Sequence, residues 1–465
     1  MKKPDGNKKL KKAYAILLAV LLGVGALLTA ALVCYFKSPS GGAGLVRSET
    51  LYVMVALLVI LAALLLVLLI VSLIKKDSAS VEIEIKEAEI SAVSNKADEG
   101  AELKSEGIRF DGLTRIDKNK EEYTREEYRE EISLEELCNE FRNYSANRLK
   151  LYYDIADIRR FIAGLAVSKI MILQGMSGTG KTSLAYAFGE FLDNTSTVIP
   201  VQPMWKERTD LIGYFNEFTK RFNETDLLKK MYEANYSKDM YVTVLDEMNI
   251  ARVEYYFAEF LSLLELPDGE KRNLTVVSDE WAEDPEQLKD GHIKLPENMW
   301  FIGTANNDDS TFAISDKVYD RAMIIDLDSK AEPFAAARVE KVHIRAERFK
   351  ELAEDAKAEY RLTERNRRRL EKLDKYMIET FRVTFGNRIK KQIEEYVPVY
   401  VSCGGEELEA LDDILAKKVM RKLGMQNPVY IRNNAAKLIS YMEELFGEDG
   451  LPLCKSHVDR LLKNA

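Results

Sequence analysis

Lys169-Ile-Met-Ile-Leu-Gln-Gly175-Met-Ser-Gly-Thr-Gly-Lys-Thr182-Ser-Leu-Ala-Tyr-Ala-Phe188 decides the fold. A short apolar run reads as a buried strand, the pattern GxxxxGK[ST] follows it, and a helix-forming run closes the unit. Glycines in that loop let backbone N–H groups turn inward around phosphate oxygens, and the helix N-terminus adds the positive end of its dipole. The candidate nucleotide-binding residues are therefore Gly175, Ser177, Gly178, Thr179, Gly180, Lys181, Thr182 and Ser183. Lys181 is expected to reach the β- and γ-phosphates, and the Thr182 hydroxyl to ligate Mg²⁺.

Sixty-five residues after Lys181, the stretch Tyr241-Val-Thr-Val-Leu-Asp246-Glu247-Met-Asn249 ends an apolar strand in two adjacent acids. Beside a phosphate loop, Asp246 suits the Mg²⁺ shell and Glu247 the polarisation of an attacking water. A third strand, Met299-Trp-Phe-Ile-Gly-Thr-Ala-Asn306-Asn307, ends in amides that can orient that water. Asn306 is the first choice and Asn307 its competitor. Downstream, Asp316-Lys-Val-Tyr-Asp-Arg321-Ala carries an arginine that is either a solvated surface charge or a group reaching a neighbouring subunit's phosphates.

Taken together, GMSGTGKT, LDEMN, GTANNDD and DKVYDRA resemble, in that order, the AAA+ ATPases of the McrB-like, MoxR and dynein-related branch. Val201-Gln-Pro-Met-Trp205 and Asp210-Leu-Ile-Gly213-Tyr extend the resemblance, which covers about residues 135–465. It implies an α/β P-loop core with a parallel sheet flanked by helices over 132–330, then an α-helical lid over 331–465. It also implies Lys181 and Thr182 in Walker A, Asp246 and Glu247 in Walker B, Asn306 as sensor 1 and Arg321 as arginine finger. Arg388, in Phe385-Gly-Asn-Arg388, is the best match to a sensor 2 arginine, with Arg382 and Arg432 as alternatives. The class makes ATP the expected nucleotide without excluding GTP, and a homo-oligomeric ring the expected assembly.

At the other end of the chain, residues 13–36 and 51–74 each run 24 positions without a charge. At 1.5 Å per residue each run is about 36 Å, enough to cross a hydrocarbon core with some tilt. Six lysines precede the first run and Lys75 and Lys76 follow the second, whereas the loop between them holds only Lys37 and Arg47. Positive charge resists translocation, so the pattern predicts a two-helix hairpin over 1–76 with both termini and the catalytic part cytoplasmic. Residues 77–131 follow as an acidic linker, with a polar spacer around 91–106 and a short alternating stretch at Val81–Ile85.

The net charge of −9 argues against a chain built to bind nucleic acid directly. Four scattered cysteines and three scattered histidines offer neither a disulfide framework nor a zinc spacing. The expected function is a membrane-anchored, Mg²⁺-dependent ATPase that remodels an unidentified protein partner. The alternatives are an NTP-hydrolysing subunit of a McrB-like defence system with a separate nuclease, and a slowly turning nucleotide-gated scaffold. GTANNDD departs from the GTMNTAD common in McrB-type proteins, and the hairpin stands where they often carry a DNA-reading domain; both departures weigh against restriction. The segment Tyr214-Phe-Asn-Glu-Phe-Thr-Lys-Arg-Phe222 reads equally as a substrate grip and as a packed hairpin.

Overall fold

The computed structural model describes residues 107–266, 272–306, 311–328 and 331–464. The expected membrane hairpin, the strand at Val81–Ile85 and Asn307 lie outside the described residues. Among the described residues no helix is long and apolar enough to cross a membrane.

Five strands form one parallel sheet: β1 (Ile170–Gly175), β2 (Thr197–Pro200), β5 (Tyr241–Asp246), β8 (Met299–Asn306) and β9 (Met323–Asp326), in the order β2-β5-β8-β1-β9. The sheet is covered on both faces, so its strands read as near-continuous apolar runs rather than as alternations. Successive residues nonetheless enter different cores. Met171 and Leu173 of β1, Val242 and Val244 of β5, and Trp300 and Ile302 of β8 pack on one face. Ile170 and Ile172, Tyr241 and Leu245, and Met299 and Phe301 pack on the other.

The first face carries α2 (Leu134–Arg148), α3 (Ile155–Val167) and α4 (Lys181–Phe191). A capping box starts α2, with the Ser133 hydroxyl accepting from the Glu136 N–H. The second face carries α1 (Asp111–Lys118), α5 (Asp226–Ala234) and a hairpin of β3 (Gly213–Asn216) with β4 (Arg221–Glu224). A second small hairpin joins β6 (Asn273–Thr275) to β7 (His292–Lys294).

Residues 107–131, assigned above to the linker, belong instead to the fold. Phe110, Leu113 and Ile116 are buried, and Phe110 stacks on Phe222 at 4.9 Å between ring centroids. Arg109, 2% exposed, donates to Asp284 and Asp279 across the second face. Three apolar residues in a strongly charged stretch carried too little periodicity to stand out, and their burial depends on partners more than 100 residues away. The 214–222 segment forms the β3–β4 hairpin, and its aromatics divide between interior and solvent. Phe222 is buried and Phe215 meets Trp281 edge-on at 6.0 Å, while Tyr214 is exposed and Phe218, at the turn, is 99% exposed.

Beyond β9 the described residues form no helix or strand until Ala346, and from there the chain is helical, as expected: α6 (Ala346–Glu359), α7 (Glu364–Phe381), α8 (Gly386–Ser402), α9 (Glu407–Lys418), α10 (Pro428–Phe446) and α11 (Pro452–Asn464). Leu370, Leu373, Met377 and Phe381 make the buried stripe of α7. Asn427 caps α10 by accepting from the Val429 N–H, and Pro428 takes the first turn, where a missing N–H costs nothing. These helices share the apolar core of α2–α4 rather than enclosing a separate one.

Candidate functional site

Because all five strands are parallel, Gly175, Asp246 and Asn306 finish at the same end of the sheet, and Gly175 is in register with Asn306. Open parallel sheets bind ligands at this end. The loop after β1 turns on Gly175 at φ +141, where an added Cβ would lie 2.4 Å from the Leu327 carbonyl oxygen. Only glycine fits that approach. Lys181 is buried at the start of α4 and donates to the carbonyls of Gly175 at 3.0 Å and Met176 at 2.7 Å. The ammonium is thus folded over the loop whose N–H groups form the cradle.

Around Asp246 a short network ties β5 and β8 to the start of α4. The Thr182 hydroxyl donates to Asp246 Oδ1 at 2.6 Å, and the Thr304 hydroxyl donates to the same oxygen at 2.8 Å. Thr304 in turn accepts from the Glu247 N–H at 2.8 Å. Glu247 sits at φ 52, a left-handed conformation that a non-glycine residue adopts at a cost of about 1–2 kcal/mol. That turn brings the exposed Glu247 carboxylate within 3.5 Å of Asn306 Nδ2. Asn249, 5% exposed, donates to the carbonyls of Asn306 and Phe312 and fastens the Glu247 turn to the end of β8. Gly303 allows the same closeness from below, since a Cβ there would lie 1.9 Å from Met248 Sδ.

The structure therefore brings Lys181, Thr182, Asp246, Glu247 and Asn306 together. The hard oxygen donors of Thr182 and Asp246, 2.6 Å apart, fit a Mg²⁺ site. Among the described residues no cluster of three or more His, Cys, Asp or Glu suggests another metal. Thr304 and Asn249 also belong to this site, by contacts that no sequence motif marks. A hydroxyl within a strand reads as an ordinary β-former, and only the register between β5 and β8 shows what it touches.

Arg321 and Arg388 lie elsewhere. Arg321 precedes β9, and its carbonyl accepts from the Ser168 hydroxyl just before β1, so it stands at the opposite end of the sheet from the phosphate loop. A six-residue strand separates the ends by about 20 Å. Arg321 donates to Glu265 Oε2 at 2.7 Å, and Arg388 donates to the other oxygen of the same carboxylate. The expectation that Arg388 serves a nucleotide therefore needs correction as regards this chain's own loop. It sits with Arg321, because α8 packs against the end of the sheet where the strands begin.

The helical region also holds the loop that carries Arg321. Lys418 donates to the carbonyls of Tyr319 and Ala322, on either side of it. Burial pulls the Lys418 ammonium down to about 7, the Asp320 charge partly opposing the shift. Arg421 pairs with Asp316 at 2.6 Å, and Lys422 with Asp320 at 3.3 Å. Nothing in the sequence marked these lysines and arginines, since their partners are about 100 residues away.

Residues 170–322 match the family described as AAA domain (dynein-related subfamily), which agrees with the strand order and with the motifs at its centre. No curated protein matches the chain. Among solved structures, it is similar to a Cytophaga hutchinsonii protein provisionally termed an ATPase, at 14% identity over 66% of this chain and 88% of that one, with a TM-score of 0.42. It is also similar to a full-length MCM homologue from Methanopyrus kandleri, at 11% identity over 61% of this chain and 60% of that one, with a TM-score of 0.34. Both scores are low, so the fold assignment rests on the sheet topology and the family match.

Proposed function

We propose that this chain, with its dynein-related AAA domain, binds ATP with Mg²⁺ and hydrolyses it as a membrane-anchored homo-oligomer that remodels a protein partner. The observation that carries the hydrolytic part is the network Thr182–Asp246–Thr304–Glu247–Asn306 beside the phosphate loop. The remodelling part is supported by the acidic balance of the chain and by the exposed Phe218 at the tip of the β3–β4 hairpin. The anchoring part is supported by the two uncharged runs and the lysines that flank them.

In this reading the loop N–H groups and Lys181 hold the triphosphate and offset charge as it moves to the leaving oxygen. Thr182 and Asp246 would hold Mg²⁺, which supplies further charge neutralisation between the phosphates when bound. Glu247 accepts a hydrogen bond, then the proton, from the attacking water, while the Asn306 amide fixes that water's orientation. The water oxygen forms the new bond to the γ-phosphorus, the bond to the bridging oxygen breaks, and ADP leaves. Thr304 and Asn249 keep the Glu247 turn in place throughout.

The test separates holding from turnover. Lys181→Ala removes a charge-assisted contact and should weaken nucleotide binding by at least about tenfold. Glu247→Gln should bind nucleotide nearly as the wild type does and lose about a hundredfold or more in turnover. Fluorescent-nucleotide titration and steady-state phosphate release measure the two quantities. Wild-type turnover in Glu247→Gln would remove Glu247 from the mechanism.

A further inference from the structure

Glu265 follows the short helix Ala258–Leu263 and belongs to no motif, yet it collects both arginines that the sequence singled out. One carboxylate oxygen accepts from Arg321, 56 positions away, and the other from Arg388, 123 positions away. The Arg321 Nε is buried without a hydrogen-bond partner among the described residues, so the group is not saturated by its own fold. The three residues open into a cleft of about 1020 Å³ where the strands begin. Seven lysines and arginines line that cleft against three glutamates, in a chain whose net charge is −9. Such a cleft can receive an anion, and each guanidinium gives the Glu265 carboxylate the same charge-assisted N–H···O contact that it would give a phosphate oxygen.

We infer that Glu265 is an internal stand-in for phosphate, holding Arg321 and Arg388 as a pair and yielding them to the nucleotide of a second copy of this chain. The inference rests on the reading of Arg321 as a group acting between subunits. Assembly must then break two ion pairs before it makes the contact that speeds hydrolysis. Glu265 is an autoinhibitory residue: it holds the arginines back in a protomer whose neighbour carries no nucleotide.

The experiment is phosphate release by the full-length chain as a function of protein concentration, for wild type, Glu265→Gln, Arg321→Ala and the double variant. Glutamine keeps the size and removes the charge, so the two arginines are released without opening a cavity. Ion pairs of this exposure each contribute a factor of about two to five, so losing both should let Glu265→Gln reach half-maximal specific activity at roughly four- to twenty-five-fold lower protein concentration. In the Arg321→Ala background, itself nearly inactive, the same change should restore no turnover; turnover that reappears would mean that the gain does not pass through Arg321 and would overturn the inference. Specific activity that falls in Glu265→Gln at every concentration would make the carboxylate a support for the arginines rather than a competitor, and would overturn the inference. An unchanged concentration dependence beside an active wild type would overturn it too, leaving the ATPase reading intact. A wild type that hydrolyses no nucleotide at any concentration would remove that reading and the inference together.

Discussion

Thr304 joins the two acids of the site, donating to Asp246 and accepting from the N–H of Glu247. Thr304→Val keeps its shape and removes both contacts, leaving the strained Glu247 turn to drift from Asn306. Losing such a supporting contact costs about 10- to 100-fold in activity, and kcat should fall by that factor while nucleotide affinity changes far less. Steady-state turnover beside equilibrium nucleotide binding checks it; equal losses in both would make Thr304 part of the binding loop instead. Residues of this kind mark the limit of what a sequence displays. Lys181, Thr182, Asp246, Glu247 and Asn306 were legible because each stands in a contiguous stretch whose local chemistry suffices. The partnerships of Thr304, Lys418 and Glu265 were not, because they exist only through strand register or through contacts about 60 to 120 positions apart.

Elements were read most surely where periodicity is strong. The three central strands follow from apolar runs, whereas the helical region after residue 330 was implied by the family resemblance alone. Helix α1 escaped because its apolar residues are few and sit among charges, so burial could be found only by knowing the surface that receives them. The β3–β4 hairpin defeated a single reading because its aromatics divide between interior and solvent. Two substitutions of the same residue type measure that division. Phe110→Ala empties a fully buried ring position and should destabilise the described part of the chain by about 3–5 kcal/mol. Phe218→Ala, at a side chain 99% exposed, should change stability by less than about 0.5 kcal/mol. Urea midpoints measured side by side decide the matter, and a large loss at Phe218 would mean that the hairpin tip is packed in the assembled protein.

On the scale of the whole molecule, the nucleotide loop and Arg321 face opposite ways, so neither completes the other within one chain. Mixing variants tests whether they do so between chains. An arginine finger contributes on the order of 10³ to 10⁵ in rate, so Arg321→Ala alone and Glu247→Gln alone should each be nearly inactive. In an equal mixture roughly one junction in four would pair a sound pocket with a sound finger, and turnover should reappear. Activity that stays at background in demonstrably mixed assemblies would leave Arg321 as a surface charge. The sheet adds a consequence of its own. Strand β1 starts beside the Ser168 hydroxyl that grips the Arg321 backbone and ends in the loop that holds phosphate. A hydrogen-bonded central strand is nearly inextensible, so in the proposed assembly it would work as a pushrod: a nudge from the upstream nucleotide at one tip would be delivered, with little lost to slack, to the downstream one. Firing order around a closed assembly would then be written into the stiffness of a six-residue strand, with no hinge required to carry the message.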